Sequence, residues 1–369
     1  MRKKIYILYP DDHLSYSPSV LNLYDELSRY FDVTIFSNEP NIDFNYQKPA
    51  DRNVYYLRKP GTFKRLIFAT LYLLTTNFLG WPKMGMFRFK RQMNVLFLLK
   101  TLPVPDAVIG VDLMSVWTAQ KLPAPVHLLS LEINENDIFK KTLKKKLTSV
   151  LIQSEERYRY YFPERGVKVF YVQNAPVYRE SNSFYDRKGL IYNGTAAIEF
   201  GVFYCIDFVL KYKKYFLQMK GAVPQKIKAE LELRYKMLLQ QGCIAIDNTY
   251  IETKDLTDYL AHFRIGFCFY DTSIEKINTF NYLTAPSGKL FAYLAAGTPV
   301  IVNDIRGLNV VNEFKCGVMI KEMDPETIYA AVTEIETHYE TYSANCILAA
   351  KHYSFDKNIA PFIDFLQSS

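Results

Sequence analysis

The sequence predicts an α/β chain made of two Rossmann-like domains facing a central cleft. Three observations carry that prediction. Strand-like apolar runs alternate with helix-like segments through both halves, the pattern of parallel sheets covered by helices on both faces. The 369 residues are too many for one ordinary core and suit two domains of roughly 150–200 residues each. A turn-rich break, Gln173-Asn174-Ala175-Pro176, interrupts the alternation and sets the boundary within residues 174–186. An apolar share of 49% against 22% charged residues is that of a globular chain.

In the first half, Ile5–Tyr9, Val33–Phe36, Val54–Leu57, Ala107–Val111, Val126–Ser130, Ser149–Gln153 and Val169–Val172 read as strands. Between them fall helices from about Ser19 to Tyr30, from Leu113 to Lys121, through the lysine-rich stretch to Lys146, and from Ser154 onward. The second half continues with strands at Leu190–Tyr192, Ile244–Ile246, Ile265–Tyr270, Thr298–Val302 and Val318–Ile320. Its helices are Val202–Lys213, Gln225–Gln240, Leu256–Phe263, Pro286–Ala296, one after Pro325 and one after about Phe355. The predicted domains are 1–180 and 187–345, with 346–369 a terminal helix packing back toward the first.

Residues 286–317 are the most informative stretch. Pro286 opens a short helix and Gly297 closes it, before a buried strand begins. Its first turn holds Ser287, Gly288 and Lys289, which together offer unpaired amides, close backbone approach and a cation. A pyrophosphate needs those three things. The alternative is a packed helix–strand corner with a solvated lysine.

Charge is unevenly spread. Residues 1–184 carry 26 Lys/Arg against 17 Asp/Glu, whereas the remainder carries 19 against 21. Residues 52–105 hold ten basic residues and no acidic one. Within them Lys64, Arg65, Arg88, Lys90 and Arg91 flank the apolar run Leu66–Gly80, and the lysines between Lys140 and Lys146 add to the charge. Basic helices with interfacial aromatics suit an anionic membrane surface; ordinary domain helices with a solvated face are the alternative. No nucleic-acid recognition module accompanies the charge, so nucleic acid is not expected. Five cysteines without CxxC spacing read as reduced core thiols of a cytosolic protein, and no metal is expected. No run reaches the length of a membrane span.

Several blocks in order resemble the GT-B glycosyltransferases, particularly the large retaining family of bacterial nucleotide-sugar enzymes (family 4, group 1 type). They are Pro105-Asp106-Ala107-Val108, Ala124-Pro125-Val126 through Glu132, Gln153-Ser154-Glu155, Gln173-Asn174-Ala175-Pro176, Ile191-Tyr192-Asn193-Gly194 and Pro286 to Gly317. The chain departs from the family where two glutamates bracket the donor helix, here Thr284 and Ala292. It departs again where an arginine and a lysine clamp the diphosphate, here Thr195 and Phe200. Pro10-Asp11-Asp12-His13 replaces the glycine pair of the first loop.

The resemblance implies a hexosyltransferase, retaining in course, that moves a sugar from a UDP- or GDP-linked donor to a lipid-linked or oligosaccharide acceptor. It would act on the inner face of the cell membrane without a metal or other cofactor. Gly194, Thr195, Ser287, Gly288 and Lys289 would steady the departing diphosphate. Asn309 and Glu313 would contact the donor sugar and ribose, and Tyr250 the nucleobase. For a base, the strand-end residues Asp12, His13, Asp112 and Glu132 are the candidates. His13 is favoured for its intrinsic pKa, and Asp112 is equally suited to capping a helix. Because both family glutamates are missing, a catalytically silent subunit and a nucleotide-sugar epimerase stand as alternatives.

Overall fold

The computed structural model describes residues 2–39, 51–58, 61–78, 85–133, 143, 147–164, 166–180 and 186–369. The chain divides into two compact units, residues 1–172 with 358–369, and residues 173–357.

The first unit opens with β1 (Lys4–Tyr9), α1 (Pro18–Ser28), β2 (Asp32–Asn38) and β3 (Val54–Leu57). Two consecutive helices follow, α2 (Thr62–Phe78) and α3 (Met86–Leu99). Then come β4 (Ala107–Val111), α4 (Asp112–Ala119), β5 (Val126–Leu129), β6 (Leu147–Ile152), α5 (Glu155–Tyr161) and β7 (Lys168–Tyr171). The strands pair in parallel in the order β3-β2-β1-β4-β5-β6-β7. Ile5–Leu8, Ala107–Val111 and Val126–Leu129 are buried throughout, as a sheet covered on both faces requires. The strand order reverses between β1 and β4, which opens a crevice at their carboxyl ends.

The second unit repeats the plan with β8 (Leu190–Asn193), α6 (Val202–Lys211), β9 (Leu217–Lys220), α7 (Gln225–Arg234), α8 (Lys236–Gln240) and β10 (Ile244–Asp247). It continues through α9 (Thr253–Leu260), β11 (Ile265–Cys268), α10 (Phe280–Thr284), α11 (Gly288–Ala295), β12 (Val300–Asn303) and α12 (Val310–Phe314). β13 (Gly317–Ile320), α13 (Pro325–Thr337) and α14 (Tyr339–Tyr353) complete it. Its parallel sheet runs β10-β9-β8-β11-β12-β13 and reverses between β8 and β11. A last helix, α15 (Phe355–Ser368), ends in the first unit, where Phe362 meets His127 and Phe170 edge-on at 5.3 Å each.

Differences from the sequence reading have local causes. β9 escapes notice because half of Leu-Gln-Met-Lys is polar, yet Lys220 is buried. The helix expected over Gln225–Gln240 is two, parted at Tyr235, whose buried side chain donates a hydrogen bond to Asp207 (2.6 Å). The terminal helix expected over 346–369 is two, parted at Ser354, and the first of them, α14, begins earlier at Tyr339. The lysine-rich helix ending at Lys146 lies outside the described residues, Leu143 excepted. α11 starts at Gly288, with Pro286 just before the N-cap Ser287. Its other end matches expectation: Gly297 has φ +64°, and the amides of Gly297 and Thr298 bond Leu294 O and Tyr293 O, both at 3.0 Å.

Candidate functional site

The second unit's candidate site forms at its strand-order reversal. β8 ends in Asn193 and turns at Gly194, whose φ of +112° suits glycine alone. A Cβ there would lie 2.7 Å from Lys289 Cε, and one on Gly221 (φ +126°) would lie 2.5 Å from the Gly194 carbonyl oxygen. Bare backbone at both positions lets the loops after β8 and β9 pack, and lets the Lys289 side chain lie across Gly194. Gly194→Ala is therefore expected to cost roughly 2 kcal/mol of stability and to displace Lys289, measurable by urea unfolding and nucleotide titration.

Lys289 stands in the first turn of α11. Its ammonium is 4.4 Å from the centroid of the Phe200 ring and 5.3 Å from that of Tyr192. The side chain is half-buried, and among the described residues it forms no ion pair. Burial lowers its pKa, while the nearby Cys268 and Cys205 thiols pull the other way. Burial also raises both thiol pKa values, so neither thiol ionises to become a counter-ion. A buried charge normally has a partner. Among the described residues no acid fills that place, and Lys289 stands at the amino end of a helix, where the Leu290 amide already meets the Cys268 sulfur. Phe200 stands where the resemblance expects a lysine, and its ring face attracts the Lys289 cation instead.

The other donor-side candidates are scattered around this group. Ser287 is buried at the N-cap and lies against Cys268 without capping α11. Gly288 begins α11 in an exposed position, and Thr195 is exposed just after Gly194. Tyr250 lies in the loop after β10. Asn309 is the exposed N-cap residue of α12. Glu313, on that helix, accepts a hydrogen bond from the Tyr353 hydroxyl (3.2 Å). Among the described residues, no hydrogen bond or ion pair joins Asn309 or Glu313 to Lys289. Thr284 and Ala292, at the family's glutamate positions, are buried, and the Thr284 hydroxyl bonds Phe280 O at 2.7 Å.

Sequence reading missed a second lysine nearby. Lys220 is 4% exposed and donates to Asp247 Oδ2 (2.9 Å), Thr249 O (2.7 Å) and Thr249 Oγ1 (2.9 Å). Burial alone would raise the Asp247 pKa; hydrogen bonds from Thr249 and Lys220 outweigh it and bring the carboxyl to about 2. This cation is satisfied and ties β9 to the loop after β10. Lys289 is not. No sequence signal separates the two, because the difference lies in partners contributed by other strands.

In the first unit, Leu8 pairs with Gly110, so the loops starting at Pro10 and Asp112 leave adjacent strands at the same sheet edge. Arg91 of α3 reaches the first loop and pairs with Asp11 (3.2 Å) and Asp12 (2.8 Å). Arg91, expected in the basic membrane or acceptor patch, is thus held by two carboxylates at the crevice. Asp12 also contacts the exposed His13 at 3.3 Å. Burial raises the Asp12 pKa, but its bond with Asp11 and the charges of Arg91 and His13 outweigh that and leave it lowered. Ligand atoms of Asp11, Asp12 and His13 lie within 4.8 Å of one another, yet Arg91 already neutralises the acids.

Asp112 has φ +57° at the first position of α4, and Gly110 leaves no room for a Cβ, which would meet Val116 N at 2.6 Å. Its Oδ1 accepts the amides of Leu131 (2.9 Å) and Glu132 (3.0 Å), so it clamps the loop after β5. Arg157, with no exposed surface, grips the same loop by donating to Leu131 O (3.0 Å). Burial drives the Asp112 pKa up to about 7; the two amides pull it back and the Glu132 charge pushes it further up. Asp112 on α4 and Glu132 in the loop after β5, both singled out from sequence, are thus brought together, with Glu132 exposed.

On α2, Lys64 and Arg65 are exposed. Phe63 and Leu66 are 77% and 67% exposed, and Leu73 and Leu74 also face outward. Lys90 on α3 is half-buried. The Arg88 side chain lies outside the described residues, and so do Lys140, Lys141, Lys144, Lys145 and Lys146. Among the described residues no helix is long and apolar enough to cross a membrane.

No protein-family model matches the chain, and no curated protein sequence matches it. Solved structures do. The pneumococcal O-GlcNAc transferase GtfA, in complex with UDP and GlcNAc, superposes with a TM-score of 0.69 at 10% identity, covering 100% of this chain and 99% of that one. HepE from Anabaena, in complex with UDP and glucose, gives 0.67 at 12% identity over 100% of both chains. Sucrose-phosphate synthase from Thermosynechococcus elongatus gives 0.67 at 13% identity, covering 100% and 98%. With both sheets parallel and in the Rossmann order, that likeness establishes the architecture: the chain has the GT-B fold.

Proposed function

We propose that this chain transfers a hexose from a nucleoside diphosphate donor to an acceptor hydroxyl. The half-buried Lys289 ammonium, which among the described residues has no counter-ion, stands at the amino end of α11 across Gly194 and carries the reading. A diphosphate there would receive helix amides and one cation, which stabilise the charge that develops as the sugar–phosphate bond breaks. The sugar C1–O bond to phosphate breaks, a C1–O bond to the acceptor forms, and the acceptor proton passes to the departing diphosphate. Asp12 is engaged by Arg91 and Asp112 by backbone amides. That engagement favours a retaining course, which needs no dedicated protein base. His13, Asp112 and Glu132 would line the acceptor side. UDP-bound solved neighbours make a UDP-sugar the first donor to try.

Donor hydrolysis across UDP-, GDP- and CMP-sugars tests the proposal. Release of sugar from one of them supports transfer. Inversion at C2 of the nucleotide sugar would instead mark an epimerase, and absence of nucleotide binding a silent subunit.

The acceptor, on this proposal, is presented at an anionic membrane surface, where α2 lies with its apolar face inward. Phe63, Leu66, Ile67, Leu73 and Leu74 lie on one side of α2 by helical spacing, and all are exposed. Lys64 and Arg65 stand beside them. The double reversal Lys64→Glu with Arg65→Glu is expected to weaken binding to phosphatidylglycerol vesicles, at about 1 kcal/mol for each lost cation. Unchanged flotation with such vesicles would reject the surface.

A further inference from the structure

We propose that the groove between α2 and α3 holds one hydrocarbon chain of an anionic membrane lipid. Leu71, Thr75, Met93, Leu96, Phe97 and Lys100 line a cavity of about 150 Å³. Its floor is apolar in effect: Met93 and Leu96 are buried, and the Thr75 hydroxyl donates to Leu71 O (2.7 Å). Beyond the Lys100 side chain at its rim the lining offers water little to bond, and apolar cavities of this size accept apolar guests. Stacking of Phe68 on Phe97 (5.7 Å) and the edge contact of Tyr72 with Phe89 (5.2 Å) hold the two helices together around it.

Two features identify the occupant. Leu71 lies roughly 60° around α2 from Leu74, so the groove adjoins the exposed stripe of Phe63, Leu66, Ile67, Leu73 and Leu74, in which the one polar member, Thr70, turns its hydroxyl onto Leu66 O (3.2 Å). A chain leaving a bilayer covered by that stripe enters the groove without crossing water. At the rim, Lys100 is exposed and, among the described residues, forms no ion pair. It belongs to the 52–105 segment, which has ten cations and no acid. An apolar slot ending in a lone cation matches a chain with an anionic head. A second copy of this chain would need acidic residues opposite that segment and would be seen as a dimer.

The inference deepens the membrane reading given above, and its test separates the two. A single-chain lysophosphatidylglycerol with a diazirine at its chain end, used below its critical micelle concentration, needs no bilayer. Photolysis is expected to label peptides containing Met93, Leu96 and Phe97 saturably. Leu71→Trp, which fills the groove from its rim, is expected to cut that labelling about tenfold. Lys100→Glu, at an exposed position safe for folding, is expected to cut it about tenfold for lysophosphatidylglycerol and to leave the phosphatidylcholine analogue nearly unaffected. Labelling that never saturates, or that survives both variants, overturns the proposal. If vesicles fail to bind while the lysolipid still labels the groove, the membrane surface is rejected and the groove stands. Vesicle flotation without groove labelling does the reverse.

Discussion

Lys289→Ala should weaken binding of a nucleoside diphosphate about 100- to 1000-fold while moving the melting temperature by less than about 3 °C. The first figure follows from removing the side-chain cation that the proposal places beside the diphosphate, since leaving a partly buried charge unpaired costs about 3–4 kcal/mol. The second follows because Lys289 contributes little to the unliganded fold. It has aromatic contacts with Phe200 and Tyr192 but, among the described residues, no carboxylate partner, and burial penalises its charged form. Calorimetric titration with UDP and a thermal melt decide the matter together. A large drop in melting temperature would make Lys289 a structural residue, and unaltered affinity would remove it from the phosphate site.

The same arrangement has a signature that a merely structural lysine lacks. Burial lowers the Lys289 pKa in the free protein, and a diphosphate beside it would raise that pKa again. Binding at alkaline pH should therefore take up a proton. Titrations in buffers of different ionisation enthalpy report that uptake directly. Lys289→Ala should abolish it, along with any dependence of the binding enthalpy on buffer.

Much of this site is legible in the sequence because its signals are local. Pro286, Ser287, Gly288 and Gly297 bound a helix by backbone chemistry that needs no knowledge of the fold, and Gly194 ends an apolar strand. What escapes depends on distant partners. Nothing in the chain near Lys220 shows that Asp247 and Thr249 will surround it, so β9 and its buried cation are invisible in advance. Arg91 looks like part of a basic surface until Asp11 and Asp12, some eighty residues away, close on it. The apolar rows of α2 are readable, but which row faces α3 and which stays open is decided by packing. Asp112 is the middle case: its place after a strand is visible, whereas its clamp on residues 131 and 132 is tertiary.

Asp112 also supplies a test in which pH itself is the variable. In the folded chain its carboxyl titrates near pH 7, against 3.8 for an ordinary aspartate. Between those values the folded state holds a proton that the unfolded state has released, so stability falls as pH rises through that window and stays low above it. At about 1.4 kcal/mol per unit, the accumulated loss is roughly 3 kcal/mol once partial exposure is allowed for. Asparagine tolerates the positive φ of this position and can still accept the amides of Leu131 and Glu132 through its oxygen, but it does not titrate. Asp112→Asn should therefore lose less stability than the wild type between pH 4 and pH 8, by roughly 3 kcal/mol in urea unfolding. Asp12 and Asp247, whose pKa values are lowered, weaken the fold toward acid in both proteins and cancel in the comparison. Asp112→Ala keeps the strained backbone but loses the clamp, so it should be less stable than Asp112→Asn at every pH. Parallel pH curves for the wild type and Asp112→Asn would mean that the carboxyl is already ionised at pH 4, with its charge accommodated by the two amides and by Arg157.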